Sequence, residues 1–385
     1  MNLGALVLVT TSYTISGDGR EAAGSFVADL ADEASRRMPV RVVAPGHEDA
    51  IESPRPGLQI YRYAASDKPL STLRPWRARD LTDLFSVMAQ GQKATDRAVS
   101  DGSVARILAL WALPCGHWAR RAARRGGLSY SVWTLGSDIW SLGRIPVVRS
   151  HLARVLGDAE TCYSDGLQLA EDTKRIGGRE VEFLPSTRRI DGMRIAAPKN
   201  AHPYRLLFLG RWHPNKGVDL LLQALAFLGD DAWSCIDAVE ICGGGPMEVE
   251  VRREVERLRA LGRPVELHGY LDKAAAEEAM LRADFVMIPS RIESIPVVFS
   301  DAMKLGCPVI TMPVGDLSSL IHQHGCGICA ETVSAPAFAA ALRTALRSSP
   351  ADFSHGVEIA ARDFDLHRIV DAILPPGLAE TGEGT

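Results

Sequence analysis

Asp284-Phe-Val-Met-Ile-Pro-Ser-Arg-Ile-Glu-Ser-Ile-Pro-Val-Val-Phe-Ser-Asp-Ala-Met-Lys-Leu-Gly306 reads as a strand, a loop and a helix in succession. The apolar run 284–288 is short and bounded by Pro289 and Ser290, the pattern of a buried strand. Pro296 suits the start of a helix, because its fixed φ and missing N–H cost nothing there. The amides of Val297, Val298 and Phe299 would then point out of the first turn, where anions bind readily. Glu293 falls in the loop above that turn and Asp301 about one turn further in. Two readings are open. One is an ordinary βα connection with a surface Glu and a first-turn Asp favoured by the helix dipole. The other is a pocket for a ligand carrying both phosphate and hydroxyls.

The same strand–helix alternation extends outward almost throughout, which argues for parallel sheets with helices on both faces. In the second half, strands are expected at 205–209, 239–242, 265–268, 284–288 and 308–312, with helices at 218–228, 247–261, 274–282 and 297–305 between them. In the first half, strands are expected at 3–11, 40–44, 58–63, 104–110, 130–134, 159–163 and 181–184. A helix near 24–36 follows the Gly-bearing loop Ser16-Gly-Asp-Gly19. The chain of 385 residues is too long for one ordinary core. The expected layout is a first doubly wound, Rossmann-like domain over 1–190, a Pro- and charge-bearing linker over 191–204 and a second such domain over 205–362. A C-terminal helix and frayed polar tail fill 363–385, and the two domains face across a cleft.

Composition narrows the function classes. Apolar residues make up 46% and charged residues 23%, as in an ordinary globular protein. No apolar run reaches the roughly 18 residues that span a bilayer. Residues 3–9 lack a basic leader and cleavage site, so they read as a first strand. Seven scattered cysteines form no disulfide framework, which points to the cytoplasm. The net charge of −4 is unevenly divided: residues 1–200 carry 27 Lys and Arg against 22 Asp and Glu, the remainder 16 against 25. Arg120, Arg121, Arg124 and Arg125 share one helical stretch, either a solvated face or a contact for a phosphorylated acceptor or the inner face of an anionic membrane. Nucleic-acid binding has neither a basic net charge nor an aromatic stacking array behind it.

Three further stretches carry chemistry. Gly210-Arg-Trp-His-Pro-Asn-Lys-Gly217 ends a strand and opens a helix, placing Arg211 and Lys216 on the side of a doubly wound sheet where ligands bind. Two fixed cations there suit a diphosphate, Arg bidentately and Lys as a point charge; the alternative is a solvated basic loop. Cys242-Gly-Gly-Gly-Pro246 lacks the dinucleotide fingerprint, yet its glycines allow backbone to approach a ligand or simply make a tight turn. His322, His324, Cys326 and Cys329 have metal-like spacing without a second ligand pair, so small buried thiols account for them better than zinc. The chain has no nucleophile elbow and no P-loop.

Taken in order, these motifs resemble the retaining glycosyltransferases of family 4, which have the GT-B fold. The second half carries Phe208-Leu-Gly-Arg-Trp-His-Pro-Asn-Lys-Gly217, Cys242-Gly-Gly-Gly-Pro246, His268-Gly-Tyr270, Ile288-Pro-Ser290 and the Glu293 to Asp301 pair. The first half is similar more loosely, through Thr10-Thr-Ser-Tyr13, Ala23-Gly-Ser-Phe-Val27, Trp111-Ala-Leu-Pro114 and Leu135-Gly-Ser-Asp138. The resemblance implies transfer of a hexosyl-type sugar from a nucleotide-diphosphate donor to a glycan or lipid-linked acceptor in cell-surface polysaccharide synthesis. It implies no cofactor and no metal. Arg211 and Lys216 would hold the diphosphate, with Gly210, Gly244 and Gly245 in the loops beside them. Glu293 would bind the sugar, and the amides around Ile295, Pro296 and Val297 would contact sugar and phosphate. Asp301 would bind the ribose, while Gly269, Tyr270 and Leu271 would flank the base. Gly24 would approach the phosphates from the other domain, and Asp138 would contact the acceptor or cap a loop.

The chain departs from the family at three places. Asp301 replaces the commoner Glu, Pro185-Ser-Thr-Arg-Arg189 stands where Asn-Gly is familiar, and Leu135 stands where a His often contacts the donor sugar. His117 is the nearest substitute in sequence. Leu135 keeps a second expectation open, a donor-binding scaffold subunit without turnover. A sugar-nucleotide epimerase or phosphorylase on a similar fold is a third.

Overall fold

Six parallel strands form the sheet of the second unit: β9 (Tyr204–Leu209), β10 (Ile236–Cys242), β11 (Val265–His268), β12 (Phe285–Ile288), β13 (Val309–Thr311) and β14 (Gly327–Cys329), in spatial order β11-β10-β9-β12-β13-β14. The computed structural model describes residues 4–14, 24–65 and 77–374. Its contacts divide the chain into two units, residues 1–188 with 366–385, and residues 189–365.

The sheet of the first unit has eight strands. They are β1 (Ala5–Val9), β2 (Val40–Gly46), β3 (Ala50–Arg55), β4 (Leu58–Ala64), β5 (Val104–Leu110), β6 (Tyr130–Thr134), β7 (Cys162–Ser164) and β8 (Glu182–Phe183), in order β3-β4-β2-β1-β5-β6-β7-β8. Only β3 runs antiparallel, on the edge. The helices of this unit are α1 (Ser25–Ala34), α2 (Ala78–Val99), α3 (His117–Gly126), α4 (Ser137–Trp140), α5 (Pro146–Gly157) and α6 (Leu167–Gly177). The second unit holds α7 (Val218–Ala226), α8 (Asp230–Trp233), α9 (Glu248–Ala260), α10 (Lys273–Arg282), α11 (Val297–Lys304), α12 (Leu317–His324), α13 (Ala335–Arg347) and α14 (Ser354–Arg362). The last helix, α15 (Leu366–Ile373), belongs to the first unit.

Burial explains why the central strands were readable. Every residue of β1, β6 and β12 is buried, as expected of parallel strands covered on both faces. α2 was not anticipated, because most of what it buries is small or polar: beside Val87 these are Asp80, Gly91, Gln92, Ala94, Thr95 and Ala98. A Cβ at Gly91 would lie 2.4 Å from the ring of Trp118 on α3, so the missing side chain is what lets the two helices approach. β3 went unread because its residues are half or fully exposed and show no apolar alternation.

Several segments differ from their expected positions; β10, for one, begins at Ile236, three residues before the strand expected at 239–242. The strand expected at 159–163 begins three residues later and ends one later, as β7. Residues 191–194, expected in a linker, lie against the second unit: the amides of Asp191 and Gly192 donate to Glu277, and Arg194 donates to the carbonyls of Met280, Ala283 and Leu305. The C-terminal helix returns to the first unit, burying Leu366, Ile369, Val370 and Ile373 on one stripe. There Asp371 pairs with Arg37, and Tyr163 donates to the carbonyl of Ala372 at 2.9 Å. The expected loop at Ser16–Gly19 and tail at 377–385 lie outside the described residues.

Candidate functional site

In the second unit the chain leaves β9 toward β10 on one side, and β12 lies on the other, so the sheet reverses direction between β9 and β12. Doubly wound sheets open a crevice at such a switch point, at the carboxyl ends of the strands. The loops that follow β9 and β12 therefore border that crevice, and they carry Arg211, Lys216 and Glu293.

The β9 loop is fixed by close backbone contacts. Gly217 takes φ 68°, and a Cβ there would sit 1.9 Å from the carbonyl oxygen of Pro289. Only glycine lets the two loops touch. His213 caps the short turn Pro214–Lys216, its Nδ1 accepting from the amide of Asn215 at 3.2 Å. Burial, then the charges of Arg211 and Lys216, hold that imidazole below its usual pKa, which keeps the ring available as an acceptor. Lys216 Nζ forms an ion pair with Glu293 Oε1, and Ser290 Oγ donates to the same oxygen at 3.2 Å. Arg211 is exposed; its carbonyl accepts from the His213 amide at 2.9 Å, and its side chain makes no hydrogen bond or ion pair among the described residues.

The three-glycine turn after β10 is built for close approach. A Cβ at Gly243 (φ 148°) would meet the Gly210 carbonyl at 2.0 Å, and one at Gly245 (φ 147°) would meet the Trp212 carbonyl at 2.7 Å. The Trp212 amide and Tyr270 hydroxyl both donate to the Gly244 carbonyl, at 2.8 and 2.6 Å. The turn is thus locked to Gly210 and Trp212 on one side and to Tyr270 on the other. Tyr270 remains 57% exposed, Gly269 has open space around its α-carbon, and Leu271 is half-buried.

After β12, Ile295 is buried and Pro296 occupies the N-cap of α11 with ψ 141°. The amide of Phe299 donates back to the Pro296 carbonyl at 2.8 Å. This corrects the expectation of three outward amides: those of Val297 and Val298 remain without a backbone acceptor among the described residues, and that of Phe299 does not. Asp301 is only 1% exposed within α11.

The first-unit candidates occupy different surroundings. Gly24 precedes α1 at φ 82°, where a Cβ would lie 2.5 Å from the Tyr13 amide nitrogen, so the position requires glycine. Asp138 is buried: its carboxylate accepts from the amide of Ala112 at 2.7 Å and that of Leu135 at 3.4 Å, tying the turn after β6 to the one after β5. Burial raises its pKa to about 6 against the lowering effect of those amides. Its contacts are those of a loop cap. Leu135 packs against a core cluster that includes Trp133. His117 bonds His151 at 3.0 Å, and burial followed by neighbouring positive charge lowers both pKa values. On α3, Arg120 and Arg124 pair with Asp158, and Arg125 pairs with Asp96.

No three of His322, His324, Cys326 and Cys329 come within reach of one ion. Among the described residues only Glu240, Glu266 and His268 do so, and Arg205 and Arg282 already pair with Glu240. No helix among them is long and apolar enough to cross a membrane.

Several residues that build this end of the sheet escaped sequence reading. Arg291 is bidentate to Asp219, and Gly315, after β13, lies beneath the Glu293 loop; a Cβ there would be 2.3 Å from the Glu293 carbonyl. The Gly315-Asp316 pair after an apolar strand was an available signal for Gly315. Nothing in sequence paired Arg291 with a partner 72 positions away.

Residues 203–348 match the family model described as glycosyl transferases group 1. A D-inositol 3-phosphate glycosyltransferase of Geodermatophilus obscurus is 30% identical over 198 residues, covering 50% of this chain and 43% of the relative. A putative teichuronic acid biosynthesis glycosyltransferase of Bacillus subtilis, TuaC, is 26% identical over 291 residues, covering 70% and 67%. The chain thus spans less than half the length of the first of these relatives and about two thirds of the second. Among solved structures, a sucrose-phosphate synthase of Thermosynechococcus elongatus superposes with TM-score 0.69 at 17% identity, covering 95% of this chain and 96% of that one. HepE of Anabaena, solved in complex with UDP and glucose, gives TM-score 0.69 at 15% identity, covering 96% and 98%. At such identities the structural likeness establishes the fold, and the sequence matches show a likeness to glycosyltransferases over part of the chain. This protein thus has the GT-B fold, and its second unit is similar to the group 1 glycosyl transferases.

Proposed function

We propose that the protein transfers a hexosyl-type sugar, with retention of anomeric configuration, from a nucleotide diphosphate to a glycan or lipid-linked acceptor in cell-surface polysaccharide synthesis. The observation that carries this reading is the meeting of Lys216 and Glu293 at the switch point, beside the amides that open α11. Arg211 and Lys216 supply positive charge where a departing diphosphate gains negative charge, and the amides of Val297 and Val298 add oriented dipoles. Glu293 accepts hydrogen bonds from sugar hydroxyls. In the proposed step the acceptor oxygen bonds to the anomeric carbon on the face from which the phosphate oxygen leaves. That phosphate oxygen then takes the acceptor's proton. The protein contributes positioning and charge stabilisation rather than a covalent nucleophile.

Two relatives support a sugar-nucleotide donor and a cell-envelope product: HepE was solved with UDP and glucose, and TuaC is named for teichuronic acid biosynthesis. A cytoplasmic enzyme with peripheral membrane contact through α3 fits such a product. The arginines there already hold carboxylates, except Arg121, so this contact would lean on Arg121 and on exchange of the pairs. The test is transfer from a panel of nucleotide sugars to glycan and lipid-linked acceptors, with the anomeric configuration of the product read by NMR. An inverted product refutes retention. A second reading, a donor-binding subunit without turnover, is favoured by Leu135, which packs into apolar surroundings where relatives often place a His. Nucleotide binding without transfer to any acceptor in the panel would decide for it.

A further inference from the structure

Arg291 Nη1 and Nη2 donate to Asp219 Oδ1 and Oδ2 at 2.7 and 2.6 Å, and Nη1 also donates to the Pro214 carbonyl at 2.7 Å. The Arg291 amide donates to the Asn215 carbonyl at 2.8 Å. Every one of these bonds runs from the β12 loop to the segment that carries Lys216. Asp219 is three residues past Lys216, and Arg291 two residues before Glu293. We infer that Arg291 and Asp219 are a positioning pair that sets the separation of Lys216 and Glu293 across the switch point. The inference rests on the donor-site reading of those two residues.

The chemistry of the pair suits that task. A forked guanidinium on a carboxylate fixes angle as well as distance, which a lysine at the same place would not. The bond to Asp219 raises the pKa of Arg291. Burial would push the Asp219 carboxyl up, but the Arg291 bond and charge and the first amides of α7 hold it below its usual value, so both partners stay charged. The Lys216–Glu293 contact, by contrast, ends on a flexible four-carbon stem, and Lys216 is 38% exposed. A rigid pair beside an exchangeable one lets Lys216 change partners while its loop stays in place.

The test uses Arg291→Met, Asp219→Asn, the double variant and Arg291→Lys in the full chain. Acylation of Lys216 by an N-hydroxysuccinimide ester is followed by peptide mass spectrometry, with Lys273, 35% exposed and paired with Asp191 at 2.8 Å, as the internal control. Lys216 is expected to react at least threefold faster in Arg291→Met and in Asp219→Asn. The double variant should be no faster than either, since both remove one interaction. Arg291→Lys should fall between, and Lys273 should not change. With UDP-glucose as donor probe, kcat should fall tenfold or more while UDP affinity changes less than threefold, because misplacement by about 1 Å costs on the order of 100-fold in rate. Unchanged Lys216 reactivity in Asp219→Asn, which preserves shape if Arg291→Met fails to fold, overturns the inference. Wild-type protein that binds no UDP while Lys216 still responds to the clamp variants would instead overturn the donor-site reading and leave the clamp standing.

Discussion

Lys216 and Glu293, 77 positions apart in the chain, form an ion pair at the switch point of the second sheet, with Ser290 Oγ donating to the same carboxylate oxygen. The two groups expected to hold opposite ends of one donor therefore hold each other. In the proposed donor site, a diphosphate at Lys216 would compete for that ammonium and free lone pairs of Glu293 for the sugar. Under that proposal, donor binding and exposure of the Glu293 carboxylate would be coupled.

Glu293→Gln retains the shape but removes the charge. Turnover with the best donor should fall on the order of 10- to 100-fold, because a hydrogen bond to a charged group contributes about 1.5–3 kcal/mol. Binding of the nucleotide diphosphate alone should be unchanged or slightly tighter, since Lys216 is freed. Steady-state kinetics beside calorimetry separate the two effects, and undiminished turnover in Glu293→Gln removes it from the site.

Lys216→Met and Arg211→Met should each weaken nucleotide-diphosphate binding about tenfold or more, roughly the contribution of one charge-assisted contact. The loss should be larger for the diphosphate than for the nucleoside, which carries no phosphate. Equal weakening of nucleoside and diphosphate would contradict the assignment.

Gly217→Ala places a methyl group 1.9 Å from the Pro289 carbonyl at a backbone φ of 68°. The β9 and β12 loops must separate, at a cost of about 2 kcal/mol or more. Denaturant melts should show that loss together with abolished donor binding. Alanine at Gly269, which has open space, should be tolerated in stability.

Asp138 gives a pH signature. Its pKa is raised from 3.8 to about 6, so the native chain keeps a proton that the unfolded chain releases at lower pH. This group's contribution to stability is therefore present at low pH and is lost as pH rises from about 4 to 6, by roughly 3 kcal/mol at most. Relative to wild type, Asp138→Asn should gain stability across that window in urea melts at stepped pH. Parallel curves for the two proteins would refute it.

Much of this site was legible because glycine and charge mark it locally. Gly243 and Gly245 announce close backbone approach, and Arg211, Lys216 and Glu293 follow strands whose burial makes them plain in the sequence. The alternation of strand and helix carried the fold class. What stayed hidden depends on distant partners or on small residues. The Arg291–Asp219 clamp joins positions far apart in the chain, and α2 buries mostly small or polar residues, Gly91, Gln92, Ala94, Thr95 and Ala98 beside Val87, which leave little apolar stripe to read. The return of α15 to the first unit could not be inferred either, since an amphipathic helix tells which face it buries and not against what.

A thermal-shift titration with UDP, GDP and ADP and their sugar conjugates tests the central claim most directly. A ligand bound by the native state alone stabilises it by about 2.7 kcal/mol at one hundred times its dissociation constant. The account predicts a concentration-dependent rise in Tm for at least one nucleotide diphosphate, reduced in Lys216→Met and Arg211→Met. No rise with any of them, or a rise of equal size in both variants, would contradict a donor site at the β9–β12 switch point.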